Sequence, residues 1–181
     1  MFDYQIKENC LAGKNILVTG AGDGIGRQAA LSYAKLGATV ILLGKTVKKL
    51  EAVYDEIMLQ GSKEPAIIPL DLKGATKQNY IDMSATIGEQ FGQLDGLLLN
   101  ASMLGELSPF TQIHEEIFNE VIKVNVTAQY LIAQSLIPTL LLAKNASVVF
   151  TSSGVGNQGK AFWGPYSISK FATEGMMQVI A

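Results

Sequence analysis

The run Gly20-Ala21-Gly22-Asp23-Gly24-Ile25-Gly26 constrains the fold more than any other stretch, because it joins two segments of different hydrophobic period. Before it, Asn15-Ile16-Leu17-Val18-Thr19 is a continuous apolar, β-branched run suited to a buried strand. After it, apolar or small residues at Ile25, Ala29, Tyr33 and Leu36 follow helical spacing until Gly37 stops them. A strand that turns straight into a helix cannot pair with its successor as a hairpin. The helix must carry the chain back across the sheet, so the next strand runs parallel.

The same alternation continues along the chain. Thr39 to Leu43 reads as a strand, Val47 to Gln60 as a helix stopped by Gly61, and Ala66-Ile67-Ile68-Pro69-Leu70 as a third strand. Thr76 to Phe91 is helical, Gly96-Leu97-Leu98-Leu99 a fourth strand, and Glu115 to Ala143 a long helix that Pro138 bends or ends. Ser147-Val148-Val149-Phe150-Thr151 is the fifth strand, and a last helix begins near Tyr166. Repeated βαβ units predict a doubly wound parallel sheet in a three-layer α/β/α arrangement. Ligands on such sheets bind beyond the carboxyl ends of the strands, where the strand order reverses. The first, fourth and fifth strands are expected to end at that rim.

With 181 residues, 48% of them hydrophobic, and no repeat or linker, a single domain over residues 1–181 is expected. A net charge of −2 gives no reason to invoke nucleic acid or an anionic membrane. The one cysteine, Cys10, cannot form an intrachain disulfide and suits a reducing compartment. The segment from Met1 to Glu8 carries acids and lacks the apolar core of a signal peptide, and Val124 to Ala143 is too interrupted by polar residues to span a membrane. A cytoplasmic location is the expectation.

Glycines between a strand and a helix leave backbone N–H groups open to an anion, and a side chain there would block a pyrophosphate. The strict G-x-G-x-x-G pattern fails; Gly20-x-x-x-Gly24-x-Gly26 stands instead. After the second strand, where an acid bonds ribose hydroxyls and a base suits a 2′-phosphate, the sequence has Gly44-Lys45-Thr46. This favours NADP(H) over NAD(H), although Asp23 would oppose a phosphate lying close to it. Asp71 after the third strand suits an adenine amino group or a turn, and Asn100-Ala101 after the fourth suits the cofactor edge or a turn.

Ser153 follows the fifth strand, and a glycine-containing loop leads to Tyr166 and Lys170, which share one helix face at i and i+4. A hydroxyl, a phenol and an ammonium so placed form a candidate proton-transfer site. His114 has no metal-ligating companions and reads as a helix-start residue, as do Glu115 and Glu116; no metal site is expected.

Assembled in this order, the motifs resemble the short-chain dehydrogenase/reductase family over residues 12–181. Residues 19–26 match its TGxxxGxG turn, Asp71-Leu72 its adenine-side aspartate, Val124-Asn125-Val126 its helical asparagine, and Tyr166-x-x-x-Lys170 its signature. Ser153 lies thirteen positions before Tyr166, as the family's serine does. The resemblance implies a Rossmann-like oxidoreductase moving hydride between NADP(H) and a small carbonyl or alcohol substrate. Tyr166 would exchange the proton, its phenol lowered from a pKa near ~10 by the Lys170 ammonium and a nicotinamide cation. Ser153 would bond the substrate oxygen, and Asn125 would hold a water linking Lys170 to solvent. Cofactor contacts would come from Gly20, Gly22, Asp23, Gly24, Ile25, Gly26, Lys45, Asp71, Leu72, Asn100, Ala101, Tyr166 and Lys170.

Two departures stand out. The family's Asn-Asn-Ala-Gly is Leu99-Asn100-Ala101-Ser102, which removes an amide and adds a side chain beside the cofactor edge. The family also continues past this helix through further strands and a substrate-covering segment, whereas the sequence stops at Ala181 within a helical pattern. A fragment lacking its C-terminal strands is therefore expected, with the fifth strand left as an open edge. Residues 103–110 and 160–165 remain as pocket wall. Phe171, Met176 and Ile180 are expected to form an exposed apolar helix face suited to a homodimer or tetramer. The competing reading is a dinucleotide-binding module or inactive fragment without turnover; an extended-type epimerase or dehydratase fits the glycine spacing less well.

Overall fold

The structure, a computed structural model, describes residues 6–181; the first five residues of the N-terminal lead-in lie outside the described residues. Five strands, β1 (Asn15–Thr19), β2 (Thr39–Gly44), β3 (Ala66–Pro69), β4 (Gly96–Leu99) and β5 (Ser147–Phe150), form one parallel sheet in the order β3-β2-β1-β4-β5. The order reverses between β1 and β4, which pair at Ile16–Gly96, Leu17–Leu97 and Val18–Leu98. The doubly wound α/β architecture expected from the alternation is the one observed.

Each central strand is apolar on both faces because helices cover both. Ile16, Val18, Val40, Leu42 and Leu98 pack on one side with helices α1 (Gly24–Lys35) and α2 (Val47–Leu59). Leu17, Ile41, Leu43, Leu97 and Leu99 pack on the other with α3 (Lys77–Phe91) and α5 (Ala128–Leu140). The alternation is the pleat of the strand, and each Leu or Ile so enclosed contributes about 1.5–3 kcal/mol of burial.

Three expectations need correction. The buried face of α1 is Gly26, Ala30, Leu31 and Ala34, while Ile25 is 67% exposed. The helix lies so close to the sheet that only small side chains fit at its start: a Cβ on Gly26 would sit 2.3 Å from the Gly20 carbonyl oxygen. The long helix is instead α4 (Glu115–Ile122), a π-helical turn at Lys123–Thr127, and α5, which ends at Leu140. Pro138 is accommodated inside α5 on its exposed side, where the carbonyl it frees, that of Gln134, can reach water. On α6 (Gly164–Ile180), Ile180 packs against the core beside α3 and α5; the exposed apolar side chains are Ile168, Phe171, Met177 and Val179. β5 and β3 are the two sheet edges among the described residues, and on β5 Val149 is 47% exposed. No helix among the described residues is long and apolar enough to cross a membrane.

At the foot of the sheet, opposite the glycine turn, Asp95 ties β1 to β4. It accepts from Lys14 Nζ at 2.8 Å, the Asn15 amide at 3.0 Å and Gln93 Nε2 at 3.1 Å. Burial alone would raise its pKa, but these donors outweigh it and hold the carboxyl below its ordinary value of 3.8. A depressed folded pKa stabilises fully above 3.8 and loses that contribution as pH falls through the folded value. Asp95→Asn should cost about 1–3 kcal/mol at pH 7, read by urea denaturation, with the gap to the parent narrowing in acid.

Candidate active site

The glycine turn takes its shape from steric limits. Gly20 adopts φ +67°, and a Cβ on Gly26 would also lie 2.6 Å from Asn100 Nδ2. Asp23 caps α1, accepting from the Gly24 amide at 2.8 Å, and its second carboxylate oxygen pairs with Lys49 Nζ from α2. The bond from Lys49, then the Gly24 amide, lowers its pKa. Thr19, fully buried at the end of β1, fixes the turn to β4: its hydroxyl donates to the Leu98 carbonyl and accepts from the amides of Asn100 and Ala101 at 2.9 and 3.0 Å. Asn100 returns a bond from Nδ2 to the Thr19 carbonyl.

A cleft of about 550 Å³ opens over this turn at the carboxyl ends of β1 to β4. Gly20, Gly22, Asp23 and Gly24 line one wall, Lys45, Asp71 and Leu72 another, and Asn100 and Ala101 the third. Of the expected cofactor contacts, Gly26 lies beneath this surface and Ile25 points to solvent. The charged groups around the mouth are largely paired, Asp23 with Lys49 and Lys73 with Glu120. Among the described residues Lys45 makes no ion pair. Asp71 serves its own turn, where Oδ1 accepts from the Lys73 amide at 3.1 Å. The cleft thus combines glycine backbone, a helix N-terminus and an uncommitted ammonium, donors that fit a phosphorylated dinucleotide.

Ser153, Tyr166 and Lys170 lie beyond this cleft, where β5 passes into α6. Ser153 caps a single 3₁₀ turn, Gly154–Gly156. That turn is fastened to α6 by Ser167 Oγ donating to the Val155 carbonyl at 2.7 Å, and Gly156 sits so close that a Cβ would come 3.0 Å from the Lys170 carbonyl oxygen. Lys170 is 1% exposed, and its Nζ lies 5.4 Å from the centre of the Tyr166 ring and donates to the Thr151 carbonyl at 2.7 Å. Burial lowers its pKa below 10.5.

Asn125, fully buried in the π turn, does not present an open amide. Nδ2 donates to the Met103 carbonyl and to Ser169 Oγ, both at 2.9 Å, and Oδ1 accepts from the Met103 amide at 2.8 Å. Ser169 in turn donates to the Tyr166 carbonyl at 2.7 Å. Asn125 therefore braces Met103, in the cleft wall, against the helix that carries Tyr166, and only a second lone pair on Oδ1 is left for a water.

Sequence reasoning missed the connecting residues. Thr151 Oγ1 donates to Asn100 Oδ1 at 3.2 Å, so a continuous hydrogen-bonded path runs from Lys170 through Thr151 and Asn100 to Thr19. Thr151 and Ser169 carried one signal, a hydroxyl within two residues of Ser153 and Lys170.

The sequence profile described as short chain dehydrogenase matches residues 14–181. The chain belongs to the short-chain dehydrogenase family. It is 47% identical to the Escherichia coli K12 oxidoreductase YciK over 98% of this chain and 71% of that protein. A short-chain dehydrogenase structure from Pseudomonas syringae superposes with a TM-score of 0.97 at 48% identity, covering 99% of this chain and 73% of that one. One from Escherichia coli CFT073, solved in complex with NADPH, gives 0.95 at 45% identity over 97% and 73% of the two chains. Among the described residues no group of three or more His, Cys, Asp or Glu could hold a metal ion.

A buried ammonium with one acceptor is expected to cost this short-chain dehydrogenase stability. Its depressed folded pKa means that the cost is complete below that value and fades as pH rises toward 10.5. Lys170→Met removes that cost together with the bond to the Thr151 carbonyl, so the difference in thermal midpoint between the two proteins should move in the parent's favour from pH 7 to pH 9.5.

Proposed function

We propose that this short-chain dehydrogenase transfers hydride between NADP(H) and a carbonyl/alcohol pair, with Tyr166 as the proton-exchanging group. The observation that carries the reading is the buried Lys170 ammonium 5.4 Å from the Tyr166 ring. Lys170 thus sets a donor-bearing cation, itself held by the Thr151 carbonyl, beside the ring whose hydroxyl would exchange the proton. Ser153 supplies a hydroxyl to the same substrate oxygen, and Asn125, through Met103 and Ser169, keeps cleft and helix in register.

Gly20, Gly22 and Gly24 would receive the pyrophosphate on backbone N–H groups, Asp71 the adenine amino group, and Lys45 the 2′-phosphate. The cofactor, when bound, supplies the hydride chemistry. Support for the phosphorylated form comes from Lys45 making no ion pair among the described residues while Asp23 is held by Lys49, and from the Escherichia coli relative solved with NADPH. NAD(H) would leave Lys45 without a partner.

Two variants test the reading. Tyr166→Phe should bind NADPH as the parent does, followed by fluorescence titration, and lose at least about a thousandfold in carbonyl reduction. Binding without turnover in the parent would instead support a dinucleotide-binding module. Lys45→Ala should weaken NADPH about tenfold, near 1.4 kcal/mol, and leave NADH unchanged; equal losses for both would remove Lys45 from the 2′-phosphate site.

A further inference from the structure

The turn that precedes α6 holds a bulky residue in a conformation reserved for glycine. The Trp163 amide donates to the Lys160 carbonyl at 3.2 Å, closing residues 160–163, and Phe162 in this turn has φ +70°. A β-turn of this hand takes glycine at that position because an L side chain is strained there. Such strain persists only where surrounding structure enforces it, and it clusters at ligand clamps. Here the enforcement is visible. The Ser108 amide donates to the Phe162 carbonyl at 3.2 Å, and Gly164 lies so close to Ile113 that a Cβ would come 2.4 Å from Cδ1.

The clamp displays three side chains in sequence. Phe162 is 58% exposed. Trp163 faces Tyr166, ring centres 6.0 Å apart and planes tilted by 55°. Lys160 is exposed, places Nζ 5.3 Å from the centre of the Trp163 ring, and makes no ion pair among the described residues. From Tyr166 outward the surface runs phenol, indole, ammonium. Phe162, Trp163 and Lys160 are not among the residues that line the cleft over the glycine turn.

We infer that residues 160–163 form a substrate-recognition turn, selecting a carbonyl compound with a flat apolar body and an anionic group. The flat body lies on Trp163 and Phe162, and the anion meets Lys160, which the indole face holds in place by a cation–π contact. A benzene ring carrying both a carbonyl and a carboxylate is the simplest compound with these two parts. Phe162, Trp163 and Lys160 are specificity-determining residues in this scheme; they exchange no proton. The inference rests on the proposed carbonyl/alcohol reading for where the substrate carbonyl sits.

Trp163 is the only tryptophan in the chain, so its fluorescence reports this turn alone. The protein with NADP⁺ bound is titrated with 4-(hydroxymethyl)benzoate and with benzyl alcohol, and in parallel assayed for reduction of 4-carboxybenzaldehyde and benzaldehyde. The carboxylated alcohol should change the fluorescence saturably and bind at least about tenfold tighter than benzyl alcohol. Lys160→Met, which keeps the stem over the indole, should erase that preference. Phe162→Gly keeps the turn without strain, so it should weaken both alcohols several-fold while its thermal midpoint stays level or rises. An unchanged preference in Lys160→Met, or no fluorescence response to either alcohol, overturns the inference. So does Phe162→Gly with lowered stability and parental binding. Preference in binding without reduction of either aldehyde leaves this inference standing and removes the hydride-transfer reading; reduction of both aldehydes with equal KM does the reverse.

Discussion

The closeness of the first turn of α1 to the end of β1 sets nearly everything above it. A single methyl group at residue 26 would collide with the Gly20 carbonyl and with the Asn100 amide that braces it. Because the helix can sit that near, its N-terminal amides reach the rim of the sheet at the point where the strand order reverses. The cleft, its glycine wall and the Thr19–Asn100 knot follow from that approach.

The knot also links two regions that could have been independent. From Thr19 the hydrogen bonds pass through Asn100 and Thr151 to the buried ammonium of Lys170. A second route joins Met103 to Asn125, Ser169 and the Tyr166 carbonyl. Thr19, Asn125, Ser169 and Lys170 in these paths are buried and the remaining members half-buried, so displacing one of the four leaves a partner short of a bond. The cleft and the start of α6 are thereby held as one unit, which suits a site where two bound molecules must meet in fixed geometry.

Local chemistry was the part of this structure legible in the sequence. Glycine positions, strand-helix alternation and the i, i+4 relation of Tyr166 and Lys170 depend on near neighbours, and they appear as read. Ile25 is the most apolar residue of its turn, yet close packing buries Gly26, Ala30 and Ala34 instead. Apolar character announces a core face only where there is room for it. The pairing of Asp23 with Lys49 joins residues far apart in sequence, so the acid that seemed to oppose a phosphate proved to be neutralised already. Asn125 stands out in the sequence only through the resemblance, as a helical asparagine that would hold a water. That Met103 and Ser169 occupy its amide depends on tertiary placement alone.

The π turn at Lys123–Thr127 sets an angular phase as well as a shape. One residue of α-helix advances the side-chain direction by roughly 100°, so the extra residue accommodated here offsets α5 from α4 by about that angle. Asn125 sits at the seam, with α4 and α6 packed on one side and the sheet-covering face of α5 on the other. Removing one residue from the turn would let a regular helix run through. The hydrophobic stripe of α5 and the asparagine could then no longer both face inward. Sequence length in this segment is accordingly a functional quantity, since a single-residue deletion re-phases every side chain that follows on α5.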